Sequence, residues 1–119
     1  TRDMSAFLTI PVALKFMKEH NWTEVSRKCR GQVVQTRNQF LDFLGISPPC
    51  PDDWLGQMAS IPLPIENADI FKKALLESYQ IQVPVYNWKE NIYLRFSIQG
   101  YNSESDLEKL LFAVKELLS

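Results

Sequence analysis

The side chain whose position most asks for chemistry is Arg95. It is the one charge in "IYLRFSI", an extended run that is otherwise apolar or neutral. Side chains in a strand alternate between faces. Ile92, Leu94, Phe96 and Ile98 therefore share one face, and Tyr93, Arg95 and Ser97 share the other. Two readings follow. Antiparallel sheets commonly keep one wet face, on which an arginine is solvated or ion-paired. Alternatively, the guanidinium is a docking point for an anion. It forks onto a carboxylate through two parallel hydrogen bonds, and a strand fixes it more rigidly than a loop does. Alternation alone leaves both open.

The other reactive types carry weaker signals. Cys29 falls in a helical pattern, and Cys50 lies in the loop "SPPCPDD" with no base beside it. Two thiols in a domain of this size fit a reduced intracellular protein better than a disulfide framework. His20 is the only histidine and sits at a helix end, where its charge suits the dipole; no His or Cys cluster has metal-ligand spacing. Lys15, Lys18, Lys28, Lys72, Lys73, Lys89, Lys109 and Lys115 all fall on helical or turn patterns and read as solvated surface.

The elements that position these residues are legible in outline. From about Met4 to Glu19 an apolar stripe of Phe7, Leu8, Leu14 and Met17 predicts an amphipathic helix, kinked or split at Pro11. A long helix follows, opened by Asn21 with Glu24 as a capping box and closed by Gly45. Trp22, Val25, Cys29, Val33, Thr36, Phe40 and Phe43 form its inward face, and Gly31 either weakens it or admits a close neighbour. "MASIPLPI" alternates, with Pro62 and Pro64 on the face away from the apolar set, so it is an edge strand. "ADIFKKALLESY" is a helix with Ile70, Phe71, Ala74, Leu75 and Tyr79 inward. "QVPVYNW" and "IYLRFSI" form a hairpin about "KEN". Ser103 and Asp106 cap a last helix striped with leucines, and Asn102 shapes the turn into it. This order predicts one α+β domain over residues 1–119, with a small, mostly antiparallel sheet covered on one face by helices.

Composition sets the outer bounds. Thirteen basic and fourteen acidic residues give a formal charge of −1, which argues against nucleic acid held by net charge. No apolar run is long enough to span a bilayer and no signal peptide is visible, so the expected setting is the cytoplasm, without a membrane partner. The chain opens at Thr1 without a methionine, as a processed protein or a piece of a longer one would.

The stretch "LRFSIQGYNSESDLEKLLFAVKEL" resembles the C-terminal signature of class V aminotransferases, the pyridoxal-phosphate group that includes isopenicillin N epimerase-like proteins and cysteine desulfurases. The opening "TRDMSAFLTIPVALKF" is similar to the "GTRD" segment and following helix of the epimerase-like branch, and "VPVYNWKENIYLRFS" matches that branch in layout. The resemblance implies the C-terminal small domain of a fold-type I pyridoxal-phosphate enzyme, with Arg95 binding the α-carboxylate of an amino-acid substrate. It implies that Thr1 reaches the cofactor phosphate of the neighbouring subunit in a homodimer. A hydroxyl and amides near a helix start suit that anion. In the family the cofactor lysine belongs to a large domain upstream, so this chain alone would be inactive and would bind no cofactor. Desulfurases carry a nucleophilic cysteine just before the arginine; Gln80 to Leu94 contains none. The competing expectation is a stand-alone, non-catalytic domain binding a carboxylate or a protein.

Overall fold

The alternating run Asn91–Ser97 becomes strand β3, the centre of the sheet. The computed structural model describes residues 3–119. Strands β1 (Met58–Leu63) and β2 (Val85–Trp88) flank β3, both antiparallel, in the order β1-β3-β2. The expected sheet is antiparallel throughout, and β1 takes the expected edge.

Period two selects the buried face. Ala59, Ile61 and Leu63 of β1, Val85 of β2, and Ile92, Leu94 and Phe96 of β3 are all buried. Helices α3 (Trp22–Leu44), α4 (Ala68–Tyr79) and α5 (Glu104–Leu118) supply the rest of the core, led by Val33 and Phe40, by Phe71 and Leu75, and by Leu110, Ala113 and Val114. Burying one Leu, Ile or Phe is worth about 1.5–3 kcal/mol. A cross-strand pair adds only about 0.2–1 kcal/mol. The apolar alternation therefore decides which way the sheet faces.

Backbone pairing fixes the two edges. The Ile98 N–H donates to the Gln57 carbonyl at 2.9 Å, and Ala59 lies opposite Phe96. Ala59, Ile61 and Leu63 thus turn their amides toward β3, whereas Met58, Ser60 and Pro62 turn theirs outward. On the other side the Arg95 N–H donates to the Pro84 carbonyl at 2.9 Å. Pro84 has no N–H to return, and the β2 ladder stops there.

The caps hold with one correction. Gly45 ends α3 at φ 66, a left-handed conformation that glycine adopts without strain. The Asp106 carboxylate accepts from the Ser103 N–H at 2.8 Å, and Asn102 Oδ1 accepts from the Gln99 N–H at 2.9 Å. A Cβ on Gly100 would lie 3.1 Å from Val25 Cγ1, so this turn packs directly on the start of α3. The expected Asn21–Glu24 capping box is absent. Asn21 is itself left-handed at φ 47 with no side-chain cap, and Glu24 instead accepts from Arg27 Nε at 2.9 Å.

Two predicted inward residues face out. Phe43 and Ile70 are exposed, and Leu41 takes the inward place near the end of α3. The long α3 carries an apolar face that drifts with the 3.6 period, so a face drawn from Trp22 misses at the far end. The first predicted helix is split, into α1 (Ser5–Leu8) and α2 (Ile10–Glu19), with Pro11 in the first turn of α2, where its missing donor costs nothing. Neither helix buries a residue.

Candidate functional site

The sheet face away from the helices carries Tyr93, Arg95 and Ser97. Register places Ser60 opposite Arg95 and Tyr86 opposite Tyr93. The Tyr86 and Tyr93 rings stack with centroids 6.2 Å apart, and Trp88 meets Tyr93 edge-on at 5.9 Å. Lys89 Nζ sits 4.7 Å over the Trp88 ring. Ser60 Oγ and Tyr86 Oη are hydrogen-bonded at 3.2 Å. This face is therefore an aromatic floor with Arg95 on its central strand and Lys89 at its β2 end.

Arg95 is exposed on that floor, on the strand that is paired along both sides. Ion pairs among the described residues join Lys15 to Glu19, Glu24 to Arg27, Arg37 to Asp52 and Lys73 to Glu77; none uses Arg95. Nor does its side chain hydrogen-bond to any described residue. Five guanidinium donors are thus left for solvent or an anion. A cleft of about 320 Å³ borders Arg95, bounded by Gln80–Pro84, by Ser97 and Ile98, and by Asn102, Asp106 and Lys109 at the start of α5. Its walls mix amide, carboxylate and ammonium groups with apolar side chains. Hydrogen bonding from the Ser103 backbone N–H, and then from its side chain, holds the Asp106 carboxyl below the usual aspartate range, so this wall is ionised near neutrality.

The other candidate residues are dispersed. Thr1 and Arg2 lie outside the described residues. Asp3 accepts from the Ser5 N–H at 2.8 Å, a local tie before α1. His20 ends α2 with its ring 4.1 Å from that of Phe16. The lysines are exposed except Lys115, half-buried with Nζ 5.3 Å over Phe43.

Sequence reasoning missed a second arginine. Arg37 is 1% exposed, ion-paired to Asp52, and its Nη1 donates to the Cys50 carbonyl at 2.9 Å and lies 3.6 Å from Cys50 Sγ. Arg30 donates to the carbonyls of Leu55 and Asp52 at 2.8 and 2.9 Å. Together they pin the proline-rich loop to α3. A signal was present: Arg37 stands four residues after Val33 and three before Phe40, within the buried stripe. Cys29 and Cys50 are free thiols, one buried and one half-buried.

No family model matches the chain. Over 121 aligned residues it is 30% identical to isopenicillin N epimerase from Amycolatopsis lactamdurans, covering 98% of this chain and 30% of that protein. The crystal structure of 8-amino-7-oxononanoate synthase from Francisella tularensis shares its fold, with a TM-score of 0.52 and 24% identity over 76% of this chain and 28% of that one. Along nearly its whole length the chain is thus similar to one part of that epimerase. It spans about 30% of the length of these relatives. Pyridoxal phosphate would need a recessed lysine amine; among the described residues the lysines are exposed except Lys115, which is half-buried but does not line the cleft. Lys109 borders the cleft, but from an exposed position on α5.

Proposed function

We propose that this domain is the substrate-carboxylate part of an isopenicillin N epimerase-like, class V pyridoxal-phosphate enzyme acting on an amino acid. A large domain of the same enzyme holds the cofactor, and the whole works as a cytoplasmic homodimer. Thr1 is the proposed contact to the cofactor phosphate of the neighbouring subunit. The observation that carries the reading is Arg95: a permanent cation, without a partner among the described residues, on the central strand of the open face. Kinship with isopenicillin N epimerase over nearly the whole chain supports it.

The chemistry of Arg95 is orientation. Two parallel N–H···O bonds fix both the position and the plane of a carboxylate, which a single ammonium cannot do. Fixing the carboxylate of an amino acid sets the direction of its remaining Cα bonds, and that decides which of them is placed to react.

The second reading, a stand-alone domain for a carboxylate or protein, draws on the apolar side chains exposed along α1 and α2. The intact mass and visible spectrum of the natural protein separate the two. A species several-fold heavier than 13.8 kDa with an absorbing cofactor is expected, and a colourless species of that mass overturns the enzyme reading. In the heavier enzyme, Arg95→Ala should raise KM for the amino acid roughly 100-fold, as expected when a charge-assisted pair worth about 3 kcal/mol is removed. Arg95→Lys should restore only part of it, because lysine keeps the charge and loses the fork.

A further inference from the structure

Ser60 and Tyr86 stand where a second recognition element for that carboxylate belongs. Ser60 is directly opposite Arg95 in the β1–β3 register. Arg95 turns its N–H to Pro84, away from β1, so Ser60 and Arg95 are a non-hydrogen-bonded pair. Such pairs bring their Cα atoms to about 4.5 Å and their side chains closest together. Both residues are on the open face. Tyr86 belongs to β2, on the far side of β3, and is opposite Tyr93. β1 and β2 are separated by two strand spacings, roughly 9–10 Å. The 3.2 Å bond between Ser60 Oγ and Tyr86 Oη therefore runs diagonally over β3, between Tyr93 and Arg95. It carries the phenol across β3 to Ser60, the residue opposite Arg95.

The donor count gives this arrangement its use. Each hydroxyl has one O–H, and the bond between them consumes one. Whichever hydroxyl donates, the other retains an O–H. Neither hydroxyl makes another side-chain bond among the described residues, and both residues are half-buried. With Tyr86 donating to Ser60, the remaining O–H is on Ser60, the residue facing Arg95. A carboxylate forked onto Arg95 has lone pairs to spare for it.

We propose that Ser60, backed by Tyr86, donates a hydrogen bond to the carboxylate held by Arg95, making a three-residue anion site across all three strands. The proposal rests on the carboxylate reading of Arg95 and extends it to two residues to which that reading gives no role. The Tyr86 phenol orients Ser60 and strengthens its donation, because linked hydrogen bonds polarise one another.

Acetate is the probe, a carboxylate without the rest of any substrate, titrated by NMR into the whole natural protein that carries this chain. Ser60→Ala should weaken acetate binding roughly tenfold, as for loss of a hydrogen bond to a charged group. Ser60→Thr, which keeps the hydroxyl, should restore it. Tyr86→Phe keeps the ring stacked on Tyr93 and should weaken binding about threefold through Ser60. Melting temperatures should stay near wild type, which separates lost recognition from lost folding. If Arg95→Ala abolishes binding while Ser60→Ala or Tyr86→Phe binds acetate like wild type, the hydroxyl pair is overturned and Arg95 stands. If Arg95→Ala itself binds acetate like wild type, the carboxylate reading fails with it.

Discussion

Two arginines of this domain have opposite fates. Arg37 is fully enclosed, its donors taken by Asp52, the Cys50 carbonyl and Asn38 at 3.3 Å. Arg95 is exposed and bonded through its backbone. Their truncations should therefore differ. Arg37→Met is expected to cost about 3 kcal/mol in urea unfolding, because it strips the half-buried Cys50 carbonyl and the Asp52 carboxylate of their buried donor. Arg95→Met should leave stability within about 0.5 kcal/mol of wild type, since a surface change away from packed contacts costs little. The sequence revealed Arg95 because a strand's period is two and a single charge in it has one possible face. It hid Arg37 because a helical arginine reads as solvated. Its acidic partner comes from a loop whose path no local spacing encodes.

At the scale of elements, most of the fold was legible, since each helix and strand has an apolar stripe that only one period fits. The exceptions are at helix ends. At α3 the expected capping box lost to a left-handed Asn21, which sends the chain from α2 into α3 with the bond from Glu24 N–H to the Asn21 carbonyl at 3.0 Å. Gly31, in the same helix, raised the choice between weakness and close packing. A Cβ there would meet no atom within 4 Å, so weakness is the answer. Gly31→Ala should stabilise the domain by about 0.5–1 kcal/mol, read as a higher urea midpoint at unchanged m-value. The cap of α5 is a pH device. The Asp106 carboxyl is lowered by its bonds to Ser103, so its stabilising effect is complete above the ordinary aspartate range and fades as pH falls through the lowered value. Acid unfolding of Asp106→Asn should lack that part of the pH dependence, with lower stability than wild type near neutrality.

At the scale of the whole molecule, the chain is more extended than its length requires. The radius of gyration is 17.1 Å; a compact domain of this size has about 13–14 Å. The excess follows from α1 and α2, which bury nothing and expose Phe7, Leu8, Val12 and Leu14 to more than half their surface. Among the described residues no helix is long and apolar enough to cross a membrane. Apolar side chains in that number are a surface awaiting a cover. The 119-residue chain alone should self-associate in light scattering, and Leu8→Glu with Val12→Glu should return it to a monomer. The spacing of Phe7, Leu8 and Leu14 was plain in the sequence; that nothing among the described residues would cover them was not, because periodicity names a face without naming what lies against it.

Such a chain would be at risk of growing strand on strand, because β1 is a free margin of the sheet. Its prolines answer that risk. The amide of Pro62 would have pointed outward, and Pro62 has none; Pro64 removes another just past the end of the strand. A visiting strand would find donors only at Met58 and Ser60, too few to register against. The same residues that mark β1 as an edge deny a template for fibrils there, which leaves β2, with the amides of Val85 and Asn87 turned outward, as the margin where a strand could add.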